Sequence, residues 1–72
     1  MRAGFAYKHE NCTDSFIEIM KVQYHDNKRV KVRVIWWTIG TTRSWPSGLI
    51  ETIEIKREDL AKWKPYSKDI GS

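Results

Sequence analysis

The segment Val30-Lys31-Val32-Arg33-Val34-Ile35-Trp36 constrains this chain more than any other. Val30, Val32, Val34 and Trp36 alternate with Lys31 and Arg33. A period of two puts the apolar set on one side of an extended chain and the cations on the other, the pattern of a half-buried β-strand. The preceding stretch, Phe16 to Tyr24, is rich in Ile, Val and aromatic residues, which suit a pleated surface. His25-Asp26-Asn27-Lys28 lies between them and reads as a hairpin turn. A helical reading of Phe16–Tyr24 competes, because Ser15-Phe16-Ile17-Glu18 fits a capping box and Phe16, Ile17, Met20 and Tyr24 share one helical stripe. The β-branched Ile17, Ile19 and Val22, together with the pairing below, favour strand.

Residues directly opposite in a hairpin share a face. A two-residue loop at Asp26-Asn27 sets Gln23 against Val30 and Val22 against Lys31, mixing core with solvent. A loop of Asp26-Asn27-Lys28 sets Tyr24 against Val30, Val22 against Val32 and Met20 against Val34, all apolar. The odd loop is therefore expected, with Asn27 or Lys28 in the left-handed bulge position. The opposite face then pairs His25 with Arg29, Gln23 with Lys31 and Lys21 with Arg33, and continues as Ile19 with Ile35 and Ile17 with Trp37. It begins basic, without a carboxylate, and ends apolar.

The remaining chain punctuates into short elements. Phe5 and Tyr7 alternate with Ala6 and Lys8, as a short first strand would. Gly40 to Gly48 reads as a loop holding Arg43, Trp45 and Pro46, or as a continued ladder that makes Trp45 part of a hairpin tip. Leu49 to Lys56 is again strand-like, with Ile53 and Ile55 on one face. Arg57 to Trp63 suggests one or two helical turns that put Leu60 and Trp63 on one side, closed by Pro65.

The expected fold class is mainly β: four or five antiparallel strands and one short C-terminal helical turn in a single domain, residues 1–72, with its ordered part at about 4–66. The hairpin Phe16–Trp37, the strand Leu49–Lys56 and the run Glu58-Asp59-Leu60 to Trp63 together resemble the small SH3-like barrels, including the Tudor-like group. That resemblance implies bent strands closing on themselves with a helical turn near the last one. It implies no single function, because such barrels host many. Gly71-Ser72 reads as a cloning remnant.

Composition narrows the function. Seventy-two residues leave little room for both a core and a deep cleft, since a chain this size buries only about 60% of its unfolded surface. A single cysteine, Cys12, allows no internal disulfide, and with His9 and His25 it falls short of a zinc ligand set. No catalytic constellation, phosphate loop or nucleophile elbow is evident, so neither enzyme nor cofactor is expected. No run approaches the roughly 18 apolar residues that span a bilayer. The free thiol and the lack of a leader pattern point to the cytoplasm.

Thirteen Lys and Arg against nine Asp and Glu give a net charge of +4. The first expectation is weak nucleic-acid binding by the hairpin face: Lys21, Arg29, Lys31, Arg33 and Arg43 on phosphates, with Trp37 or Trp45 stacking. The bland alternative is a solvated strand face whose lysines discourage aggregation. A different class of reading is a protein-interaction module or self-associating subunit, with Ile17, Ile35, Trp37 and Trp45 as its apolar patch. Lys62-Trp63-Lys64-Pro65-Tyr66 with Lys68 also interleaves basic and aromatic residues, but Trp63 three residues after Leu60 reads as packing.

Overall fold

A computed structural model describes residues 1–67, so Lys68 and Gly71-Ser72 lie outside the described residues. The alternating segment forms the middle of β3, Arg29–Ile39. Its partner β2, Ser15–His25, is a strand along its whole length and not a helix. β1 is Ala6–His9, β4 is Ser44–Lys56 and β5 is Trp63–Tyr66. A 3₁₀ helix, Arg57–Lys62, joins β4 to β5. All pairings are antiparallel, in one sheet of order β4-β3-β2-β1-β5. The sheet is not closed among the described residues: β4 and β5 are its edges. Pro65 lies inside β5 instead of ending the helical turn, and Pro46 lies inside β4. Both occupy edge strands, where a missing N–H breaks no central ladder.

One face of the sheet carries the main core cluster, while Phe16, also fully buried, packs outside it against Trp37 and Tyr66. Ile17, Ile19, Val30, Val32, Val34 and Ile55 are buried together. Met1, Tyr7, Val22, Trp36, Ile53, Leu60 and Trp63 pack around them. Full burial of a Val or Ile side chain stabilises by about 1.5–3 kcal/mol, so this cluster outweighs any surface contact. The alternation in β3, the shared face of Ile53 and Ile55, and the packing of Leu60 with Trp63 follow the pattern in the sequence. Phe5 does not: it is exposed, and Ala6 is the buried residue of the first strand.

The central hairpin keeps the expected register only in its middle. Val22 faces Val32 and Lys21 faces Arg33. Met20 and Gln23 are each an extra residue in β2, so the register slips by one on both sides. Below Met20, Ile19 faces Val34 and Ile17 faces Trp36, which sends both isoleucines to the core. Above Gln23, Tyr24 faces Lys31 and His25 faces Val30. Met20 and Tyr24, expected in the core, are 47% and 46% exposed. A β-bulge inserts one residue and re-aims those beyond it, which is the physical origin of both reversals.

The strands end at His25 and start at Arg29, but the register at the tip is not that of the expected Asp26-Asn27-Lys28 loop. His25 faces Val30 instead of Arg29, and the Asp26 N–H donates to the Arg29 carbonyl at 3.0 Å, which leaves Asn27-Lys28 as an even, two-residue tip. It needs no left-handed residue: the positive-φ positions among the described residues are Gly4 and Gly48. The Asp26 carboxylate accepts the backbone N–H groups of Lys28 and Arg29, both at 2.8 Å, and so shapes the turn by itself. The β3–β4 connection is also shorter than a Gly40–Gly48 loop. Ile39 faces Ser44, and the N–H of Gly40 donates to the Arg43 carbonyl at 2.9 Å. The Trp45 ring lies against Gly40, where a Cβ would meet both that ring and the Arg43 carbonyl oxygen. β4 then bends at Ser47-Gly48, with Gly48 at φ 88° and the Ser47 hydroxyl donating to the Trp36 carbonyl at 2.9 Å.

Candidate functional site

β3 sets Arg29, Lys31, Arg33, Ile35 and Trp37 on the sheet face away from the core, because Val30, Val32, Val34 and Trp36 take the other. Neighbouring strands complete three cross-strand rows. Lys56 of β4 faces Arg29. Tyr24, Lys31 and Glu54 form the next row, and Lys21, Arg33 and Thr52 the third. Lys21, Arg29, Lys31 and Arg33 are all exposed. The following rows turn apolar, with Ile35 between Glu18 and Ile50 and Trp37 between Phe16 and Pro46.

This face is not free of carboxylates. Glu54 forms an ion pair with Arg29 at 3.1 Å, which raises the Arg29 pKa further. The other ion pair among the described residues joins Asp59 to Lys62. Glu54 is thus paired across the sheet with β3, and Asp59 within the 3₁₀ helix. Lys21 and Arg33, facing each other across the hairpin, form no ion pair among the described residues. Apposed like charges destabilise a sheet.

Tyr24 is the residue of this face that alternation alone misplaces. Its hydroxyl donates to Asp26 Oδ2 at 2.7 Å, and the Arg29 guanidinium carbon lies 5.8 Å from its ring centroid. The ring is thus tethered at both its hydroxyl and its face, in the row of Lys31. The signal in the sequence was Tyr24-His25-Asp26, which puts a carboxylate two residues after the ring at the start of a turn.

The other expected contributors are placed elsewhere. Ile17 is 0% exposed in the core and cannot form part of a surface patch. Ile35 and Trp37 are half-buried. Trp37 stacks on Phe16 with ring centroids 5.7 Å apart, and its indole N–H donates to Glu18 at 3.1 Å. Arg43 and Trp45 sit at the β3–β4 turn, the opposite end of β3 from Arg29, so they do not join the cationic rows. Trp45 is 46% exposed and lies over Gly40; it does not plug the core.

His9 meets Trp63 edge-to-face at 5.0 Å, and its Nδ1 accepts the Asn11 N–H. Cys12 is half-buried, with Sγ 2.9 Å from the Ser15 hydroxyl. His25 ends β2 and Cys12 precedes its start, so the three residues do not converge. The described residues contain no cluster of three or more His, Cys, Asp or Glu side chains able to hold a metal, and no helix long and apolar enough to cross a membrane. Compared with protein families, curated proteins and solved structures, the chain matches none.

Proposed function

We propose that this protein is a non-enzymatic nucleic-acid-binding module whose contact surface is the basic face of the β2–β3 hairpin. The observation that carries the reading is the apposition of Lys21 and Arg33 next to Lys31, three exposed cations with no ion-pair partner among the described residues. A polyanion turns that repulsion into attraction. Arg29, shared with Glu54, contributes less. Trp37, already stacked and hydrogen-bonded, serves as the wall of the face and not as a free stacking platform. The order β5-β1-β2-β3-β4, with a 3₁₀ helix before the last strand, supports an SH3-like, partly open barrel as the scaffold. The free Cys12 fits a reducing compartment such as the cytoplasm.

The test is a fluorescence-anisotropy titration against labelled DNA and RNA at two salt concentrations. Three neutralised phosphates give a loss of about 20-fold between roughly 50 and 200 mM salt on a single strand. The Lys31→Glu/Arg33→Glu double variant abolishes binding while its circular dichroism stays that of the parent. Binding that ignores both salt and charge reversal sinks the reading.

A protein-binding reading has its own support in β4. This long edge strand leaves Trp45, Leu49 and Ile50 exposed, and extended partners add to such edges. In that case Leu49→Lys/Ile50→Lys removes the interaction or the self-association, and the charge reversal spares it.

A further inference from the structure

We infer that the ligand is a single polynucleotide strand with its backbone running along β3 and its bases turned toward β2, over Tyr24 and Met20. This rests on the nucleic-acid reading above and adds which form of nucleic acid the face takes and which way round.

The spacing comes first. Arg29, Lys31 and Arg33 are alternate residues of one strand, about 6.6 Å apart in sequence order. Successive phosphates of an extended nucleic-acid strand repeat on a similar scale, so one backbone can meet one cation per nucleotide along β3. Lys21 widens the row at Arg33.

The two flanks of that row differ. On the β4 side, Lys56 faces Arg29 at one end, but Glu54 faces Lys31 at the centre and Thr52 faces Arg33. A second phosphate row, which a duplex brings across its groove, meets the Glu54 carboxylate there. On the β2 side Tyr24 faces Lys31, and Met20 is the bulge residue next to Lys21; both are half-exposed side chains with flat or soft apolar surface. Bases present their faces to such side chains only when unpaired and unstacked. The Tyr24 ring is ordered before any ligand arrives, through Asp26 and Arg29, so little freedom is lost on stacking. Met20 is the extra residue of the bulge beside Lys21, and is exposed instead of buried in the core.

The experiment compares a labelled oligothymidylate of about 12 nucleotides with a mixed-sequence duplex of the same length, within usual site sizes. Both are titrated at about 50 mM salt, where phosphate contacts are strong. The single strand binds more tightly than the duplex. Tyr24→Ala weakens the single strand by at least about fivefold, the lower end of a lost base–aromatic stack, and leaves the duplex unchanged. Tyr24→Phe retains most of the affinity. The Met20 methyl and Tyr24 ring resonances of the unsubstituted protein shift on adding the single strand, which requires no variant to fold. Equal or tighter duplex binding, or unmoved Met20 and Tyr24 resonances under saturating single strand, overturns this inference and leaves the nucleic-acid reading standing. Failure of both probes to bind overturns both.

Discussion

Asp26 uses its whole polar inventory at the tip of the central hairpin. Oδ1 accepts two backbone N–H groups, Oδ2 accepts the Tyr24 hydroxyl, and the backbone carbonyl accepts Arg57 Nε–H at 2.6 Å. Its own N–H donates to the Arg29 carbonyl, and the Arg57 N–H donates to Lys28. The tip is therefore fastened to the start of the 3₁₀ helix. The Tyr24 hydroxyl first, and the Lys28 and Arg29 amides next, lower the Asp26 pKa to about 2. The same bond raises the Tyr24 pKa. Because the folded Asp26 value is depressed, its contribution to stability is complete above the ordinary value of 3.8 and is lost as pH falls through about 2. Carbon-detected NMR of the Asp26 carboxyl should give a midpoint near 2, and Tyr24→Phe should move it up toward 3.8. An unshifted midpoint in the parent protein means the hydroxyl is not bound there.

At the scale of the strands, the two bulges of β2 decide which side chains share the basic face. Had the register run unbroken, Ile17 and Ile19 would share the face of the lysines. Instead the extra residue at Met20 carries both into the core, and Val22 joins them although its number has the other parity. Adjacent positions therefore answer opposite demands. Ile19→Ala should cost about 2–5 kcal/mol by denaturant melt, as a buried truncation does. Met20→Ala should stay within about 0.5 kcal/mol, as an exposed one does. Comparable costs at the two positions would mean the bulge is misplaced. The two strands differ in how legible they are in the sequence. Strand alternation in β3 is strict, so its cationic face could be read directly; the Lys21–Arg33 apposition agrees with the odd-loop register only because the extra residue Gln23 offsets the even tip. In β2 the parity switch between Ile19 and Val22 was the only trace of a bulge, and a constant period of two passes over it. The turn at Gly40–Arg43 was obscured for a different reason. Trp45, Pro46 and Gly48 look like loop residues, yet an edge strand tolerates all three, since Pro46 breaks no central ladder and Gly48 supplies the bend.

The molecule as a whole depends on a link between its two edges. From β4 the chain crosses in the 3₁₀ helix, places Leu60 and Trp63 against the core, and pairs β5 with β1. Trp63 stands at the junction: it ends the helix, faces His9 in β1 and touches its ring. The N–H of Glu10 donates to the Lys62 carbonyl at 2.9 Å and closes the same corner. A domain of this size rarely has more than about 3–5 kcal/mol of stability from its core. Truncating a core tryptophan costs about 3–5 kcal/mol, with the lower end apt for a half-buried one. Trp63→Ala should therefore leave a large unfolded fraction at 25 °C, and the loss should be global. Amides of β2 and β3, far along the sheet from position 63, should lose hydrogen-exchange protection together with those of β5. If β2 and β3 keep their protection while β5 alone frays, the helix and last strand are an appendage. The basic face would then stand on a three-stranded unit that holds without them.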